Sequence, residues 1–195
     1  MPGFPERKAT LRDGTTVLLR EARPEDAPLV RLGFDQLSDR SRQFRFLRAV
    51  PRLSEDDLSF LAGADANEVI GALDLSGETP IPVGMARYVR LPAQTELAEV
   101  AITVIDSHQG RGLGTLLFGC LAWQAQKTGL KGFVSLVHHG NMQMRHLLED
   151  LGAAVEEDLD GELQYLLPLT ADPASYPATP AGEAFRAAWA LAEAA

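Results

Sequence analysis

The chain has 195 residues, 46% of them hydrophobic, and a formal net charge of −9. That length favours one domain with at most an appendage, and the hydrophobic fraction suffices for a sizeable core. No run of about 18 apolar residues is present to span a membrane. Met1-Pro-Gly-Phe-Pro lacks the apolar centre of a signal peptide, so a cytoplasmic location is expected. The charge is uneven: residues 1–52 balance at +4 and residues 53–195 at −13. An acidic chain is a poor nucleic-acid binder. The series Arg40, Arg42, Arg45 and Arg48 therefore reads as a solvated helix face. The single cysteine, Cys120, cannot form an internal disulfide and reads as core packing.

In chain order, Leu11-Arg-Asp13-Gly14 marks a tight turn, and Thr15 to Arg20 follows as the first strand. Arg23-Pro24-Glu25-Asp26 opens a helix to about Leu37, with proline and acids in the first turn, where each is favoured. Ser38 caps a second helix through Phe46. Ser54 with Asp57 forms a variant capping box for a short helix ending near Ala62. Glu68 to Leu75 and Val83 to Arg90 read as paired strands. Ala98 to Ile105 is short, apolar and β-branched, hence a strand. Its period of two puts Val100, Ile102 and Val104 on one face and Glu99, Ala101 and Thr103 on the other. A carboxylate thus projects from a strand that is otherwise apolar.

Residues 109–115, Gln-Gly-Arg-Gly-Leu-Gly-Thr, join that strand to a helix. The first amides of the helix have no partners inside it, and its dipole adds positive charge there. Such a turn suits phosphate or pyrophosphate. The Rossmann spacing G-x-G-x-x-G fails at Thr115, and no glycine is followed by the Lys-Ser/Thr pair of a P-loop. What remains is Q-x-x-G-x-G at Gln109, Gly112 and Gly114. The helix presents Leu113, Leu116, Leu117, Cys120, Leu121 and Gln124 on one face and ends at Gly129. Gly132 to Val137 is a further strand, parallel to the Glu99 strand because a helix crosses between them. A helix with Met144, Leu147, Leu148 and Leu151 on one face follows and ends at Gly152. Val155 to Pro168 reads as a hairpin about Asp160-Gly161. Its acids, Glu156 to Asp158, Asp160 and Glu162, form a solvated turn or help attract a cationic substrate.

From Glu99 to Gly152 the order of strand, Q-x-x-G-x-G, helix, strand, Asn141 and helix resembles the GNAT superfamily of acyl-CoA-dependent N-acyltransferases. The tracts from Leu11 to Ala27 and from Leu37 to Phe46 narrow the likeness. They resemble the acetyltransferase domain of bacterial Pat-type protein lysine acetyltransferases, and the resemblance then covers about residues 10–168. It implies an α/β (α+β) GNAT fold, a mixed sheet splayed between the Glu99 strand and the next parallel strand and flanked by helices. The acyltransferase domain is expected over residues 1–170. Residues 171–195 form a proline-containing linker and a short helix with Phe185, Ala188, Trp189 and Ala192 as its apolar stripe, which docks on its own body or on a second copy in a homodimer. Neither the acyl-CoA-synthetase-like nor the cyclic-nucleotide-binding domain of some Pat-type proteins is visible, so regulation through one is not expected within this chain.

The resemblance further implies that Gly110, Arg111, Gly112, Leu113, Gly114 and Thr115, with Gln109, cradle the pyrophosphate of acetyl-CoA, and that Val104 and Ile105 offer backbone groups to its pantetheine arm. Asn141 matches a position that contacts this arm, and it also suits a helix N-cap. Arg111 pairs with a CoA phosphate or is merely exposed. Glu99 matches the general base that takes a proton from a primary amine, directly or through water, with partial burial raising its pKa. Its structural alternative is an ion pair with Arg87 or Arg90. Main-chain N–H groups near Val104 would hold the oxyanion. The tyrosine that serves many GNAT enzymes as general acid is replaced by Leu148. His138 and His139 read as loop packing, since no ligand spacing for a metal surrounds them, and no metal is expected. The expected partners are acetyl-CoA and an amine, with no nucleic acid and no membrane. The expected function is transfer of acetyl to a protein lysine. The alternatives are a small amine or amino acid as acceptor, or a non-catalytic acyl-CoA sensor.

Overall fold

The computed structural model describes residues 3–63 and 68–194; Met1 and Pro2, the start of the stretch read for a leader, lie outside them. In chain order the elements are β1 (Arg7–Thr10), β2 (Thr16–Glu21), α1 (Ala27–Asp35), α2 (Asp39–Phe46), α3 (Glu55–Leu61), β3 (Glu68–Asp74), β4 (Ile81–Leu91), β5 (Gln94–Val104), α4 (Leu113–Lys127), β6 (Gly132–His138), α5 (Met142–Asp150), β7 (Ala154–Leu159), β8 (Glu162–Pro168) and α6 (Pro180–Glu193). The strands form one sheet in the order β1-β2-β3-β4-β5-β6-β8-β7. Only β5 and β6 run parallel; every other neighbour is antiparallel. This is the mixed α/β sheet flanked by helices that the resemblance implied.

Local chemistry sets most element ends. The Ser38 hydroxyl accepts the Ser41 amide at the start of α2. Ser54 and Asp57 form the expected capping box on α3. Gly129 and Gly152, both at positive φ, follow α4 and α5, the left-handed conformation that glycine adopts without a Cβ penalty. The helix expected from Arg23 begins instead as a 3-10 turn over Pro24–Asp26 and becomes α-helical at Ala27.

Strand parity divides the helices between the two sheet faces. Phe133 of β6 stacks on Phe118 of α4, and Tyr165 of β8 reaches Glu149 of α5. These helices therefore share the face of Val100, Ile102 and Val104. The opposite face, that of Glu99, lies under α1, α2 and α3, where Arg45 of α2 reaches Thr103. Two features were absent from the sequence reading. β1 pairs with β2 across the Asp13-Gly14 turn, and β8 inserts between β6 and β7. The helix α4 is also buried almost all round, Phe118, Gly119 and Ala122 included, because α6 covers its outer side. A Cβ on Gly119 would stand 2.6 Å from that of Ala188. Phe185, Ala188, Trp189 and Ala192 are thus spent within the chain, so the C-terminal stripe docks on its own body.

Candidate functional site

Strands β5 and β6 pair only at Leu97↔Gly132, Ala98↔Phe133 and Glu99↔Val134. Beyond Glu99 they diverge, and that side of β5 has no strand beside it. Antiparallel ladders alternate the direction of backbone groups. The Ile105 amide donates to Val83 of β4 at 3.0 Å. The opposed pair Gly84↔Val104 is then a non-hydrogen-bonded one, so the N–H and C=O of Val104 and of Ile102 face the gap. The Val104 carbonyl is capped by Gln109 Nε2 at 3.0 Å. The Val104 N–H and both Ile102 groups stay open. Ile105, in contrast, offers a ligand nothing: its carbonyl accepts the His108 amide, and its side chain is buried.

The glycine turn closes one end of the gap. Gly110 and Gly112 adopt φ of 73° and 90°, left-handed values that only glycine takes freely. Among the described residues no acceptor faces the consecutive amides of Gly110, Arg111, Gly112, Leu113, Gly114 and Thr115; the first helical bond starts at Leu116. Together with the α4 dipole they form an anion cradle. Leu113 contributes only its amide, because its side chain is in the core.

Arg111 turns away from the cradle. Its Nη1 pairs with Asp13 Oδ2 at 2.6 Å, and its Nη2 donates to the Ser107 carbonyl. It is neither free for a phosphate nor merely exposed; it braces the turn against the β1–β2 hairpin. The Thr15 amide and the nearby Arg111 charge hold the Asp13 carboxyl below the usual carboxylate range. Two other cations line the groove at the cradle: Arg12, to which the sequence reading gave no role, and Arg40, which it read as part of a solvated helix face. The side chain of Arg12 lies 3.5 Å from where a Cβ on Gly112 would stand.

The groove itself encloses about 530 Å³ between the glycine turn, Ile102 to Val104, the α2 residues Ser41 and Phe44, and Asn141 to Leu147. Its rim is pinned by Asp106, whose carboxylate accepts the Ser38 amide and hydroxyl at 3.0 and 2.6 Å and the Ser41 hydroxyl at 3.1 Å. Burial opposes charge on Asp106, but these donors outweigh it and its pKa falls. Asn141 caps α5 through the Met144 amide at 3.2 Å while also lining the groove, so its two suggested roles are compatible.

Glu99 stands at the last β5–β6 pair, on the α2 face. It is exposed, not partly buried as expected. Its ion-pair alternative is not realised: no pair within 4.0 Å among the described residues includes it. Arg90 donates instead to the Thr95 and Thr128 carbonyls, and Arg87 lies over the Phe60 ring.

The expected solvated arginine face holds for Arg40, which is exposed, but not for the whole series. Arg42 lies over Phe34 at 4.4 Å, Arg45 donates to Thr103 Oγ1 at 2.8 Å, and Arg48 stays exposed. Helix periodicity alone could not find this, since the sheet face that receives Arg45 is remote in sequence.

His138 packs against Phe44 and accepts the Gly140 amide, and His139 pairs with Asp158 at 3.0 Å. Among the described residues no group of three or more His, Cys, Asp or Glu is placed to hold a metal. Leu148 is fully buried. No helix among the described residues is long and apolar enough to cross a membrane.

The family model for the acetyltransferase (GNAT) domain matches residues 16–154. The Acetyltransferase Pat of Mycolicibacterium smegmatis is 33% identical over 151 residues, which is 76% of this chain and 45% of that protein. The chain therefore spans less than half the length of that relative. An acetyltransferase of Pseudomonas aeruginosa is 31% identical over 160 residues, covering 80% of this chain and 85% of its own. Among solved structures, the GNAT domain of S. lividans PAT superposes with a TM-score of 0.78 at 28% identity, over 87% of this chain and 99% of that one.

Proposed function

Because the chain belongs to the GNAT acetyltransferases and is an enzyme whose cosubstrate is an acyl-CoA, we propose that it moves acetyl from acetyl-CoA directly to a primary amine, the side chain of a protein lysine. The observation that carries this is the Glu99 carboxylate, without an ion pair among the described residues, at the point where β5 and β6 part, on the strand whose Ile102 to Val104 line a groove that ends in six open amides. The Pat-type resemblance and the 33% identity to an Acetyltransferase Pat support a protein acceptor.

A lysine has a pKa of about 10.4, so its neutral form costs roughly 4.6 kcal/mol at pH 7. Glu99 takes that proton, directly or through water, and its exposure lets the proton pass on to solvent. The amine nitrogen then attacks the thioester carbonyl. The amides of Ile102 and Val104 that face the gap stabilise the oxyanion. Collapse of the tetrahedral intermediate expels CoA as a thiolate, and the second nitrogen proton passes to solvent or to that thiolate. Leu148, at the position of the usual acid, has no proton to give. Gly110 to Thr115 hold the pyrophosphate, with Gln109 fixing the turn and Asn141 fixing α5. Arg12 and Arg40 supply the positive field there that Arg111 does not.

The test follows thiol release from acetyl-CoA with amines and proteins, together with mass spectrometry of lysate treated with enzyme and labelled acetyl-CoA. Lysine acetylation in wild type, and a loss of about a hundredfold or more in Glu99→Gln with CoA binding retained, are expected. Unchanged turnover in Glu99→Gln would remove Glu99 as base. Transfer to free amines alone would move the acceptor to a small molecule, and CoA binding without transfer to any acceptor would mark a sensor.

A further inference from the structure

The face of the sheet that carries Glu99 also holds two arginines to which the chemistry above assigns nothing. Arg87 sits on β4 opposite Ala101, two pairs along from Glu99 and so on the same side. Arg45 comes down from α2 to Thr103. Arg45 Nη2, Arg87 Nε and Arg87 Nη1 are sealed from solvent with no hydrogen-bond acceptor. No carboxylate lies within 4.0 Å of either guanidinium among the described residues. Both residues are half-buried, and a cation partly withdrawn from water without a counter-ion is costly, a second beside it more so. Burial pushes the Arg45 guanidinium down to about 9, Arg87 adds to the shift, and Glu99 opposes it. Burial lowers Arg87 as well, again with Glu99 as the opposing charge. Both remain cations at neutral pH. Because their unpartnered nitrogens are sealed, a ligand carboxylate has no way to them. Their field, weakly screened in the interior, does extend outward, toward the place where an amine must stand to meet both Glu99 and the acyl carbon.

We propose that Arg45 and Arg87 are positioning residues for deprotonation: their joint positive charge disfavours an ammonium ion beside Glu99 and favours the neutral amine. This rests on the acetyl-transfer reading above. The balance is simple. The N–H bond of the ammonium breaks, an O–H bond forms on Glu99 or on the water it holds, and the lone pair left on nitrogen attacks. The arginines exchange no proton. Other charged or titratable groups on or next to the surrounding elements are Arg40 and Arg42 on α2, Arg48 just beyond its end, Asp57 on α3, Arg20 on β2 (held by Asp26), His138 on β6 and Glu162 on β8. All are left in place by the substitutions below.

The experiment measures kcat with saturating acetyl-CoA and amine between about pH 6 and 10. It compares Arg45→Met and Arg87→Met with Arg45→Lys and Arg87→Lys, each also in a Glu99→Gln background where only the bound amine titrates. The Met variants should move the acid limb up by about one pH unit, and the Lys variants, which keep the charge, should not. An unmoved limb in active Met variants overturns the proposal. Should a Met variant not fold, Glu99→Gln alone decides: over a series of amines its limb should lie about one unit or more below each free amine's pKa. Coincidence with the free values overturns the proposal. Absence of transfer to any amine by the wild type would instead sink the acetyl-transfer reading itself.

Discussion

The side-chain amide of Gln109 donates to the main-chain carbonyl of Val104 at 3.0 Å. One hydrogen bond thus ties the glycine turn to the open end of β5, and it leaves the Val104 N–H as the free group at that point of the strand. A second bond from the same amide reaches Ser41 of α2, so turn, strand and helix are joined at one side chain. Gln109→Ala should raise the Kd for CoA about tenfold, the value of roughly one such bond, with little change in melting temperature because Gln109 is exposed. Calorimetric titration with CoA beside a thermal melt checks both.

Gly110 and Gly114 should fail in different ways. Gly110 has a φ of 73° and open space around its missing Cβ, so Gly110→Ala costs about 1 kcal/mol of stability through backbone strain. Gly114 has no such φ, and a Cβ there would touch only Val104, at 3.8 Å. Gly114→Val should therefore keep the fold and narrow the groove, weakening CoA binding tenfold or more by order of magnitude. Urea melts separate the first effect and CoA affinity the second. Unaltered affinity in Gly114→Val would mean that the ligand does not run past it.

Among the described residues the Arg12 side chain makes no ion pair, while Arg111 is engaged. Arg12→Ala should weaken CoA binding about fivefold at low ionic strength, and the ratio should shrink toward one near 0.5 M salt, about where screening reaches contact range. Arg111→Ala should act differently, loosening the turn against Asp13 with a smaller dependence on salt. Titrations at two salt concentrations decide between these outcomes.

Arg20 and Asp26 form a two-bond ion pair at 2.6 and 2.7 Å with side chains only 16% and 15% exposed. The Arg20 bonds hold the Asp26 carboxyl below its usual range against the opposing effect of burial, helped by the Arg23 amide. A depressed folded pKa gives stability that is complete above the unfolded value of about 3.9 and is lost as pH falls through the folded value. Asp26→Asn should cost about 1–3 kcal/mol at pH 7. The gap between wild type and variant should close in acid, once pH falls below the lowered folded value. Denaturant curves at the two pH values measure it, and a gap independent of pH would remove the carboxylate's charge from the account.

Much of the candidate site is legible in the chain because it is built from short-range rules. Alternation along β5 is enough to put Glu99 opposite to Val100, Ile102 and Val104, and the parity of the structure agrees. Ser38, Ser54 and Asn141 cap the helices they precede, since a cap needs only the next few residues. Arg45 was out of reach in the same way that β1 was. Its neighbours Thr103 and Arg87 lie many residues away, and helix periodicity reports the side of a helix, not what that side meets. Arg12 was missed because it belongs to a hairpin whose docking beside Gly112 joins distant segments.

The sequence by itself determined the glycine turn, the faces of β5 and the family likeness, because those depend on neighbours within about four positions. Only the tertiary structure decided that β8 enters between β6 and β7, that α6 covers α4, and that Arg111 is spent while Arg12 makes no ion pair among the described residues. It alone brings Arg45 and Arg87, with guanidinium nitrogens sealed from solvent, to the face of Glu99. Pairing across a sheet and burial beneath a distant helix depend on which segments meet, and that is resolved by the packing of the whole core, not by the pattern of any one stretch.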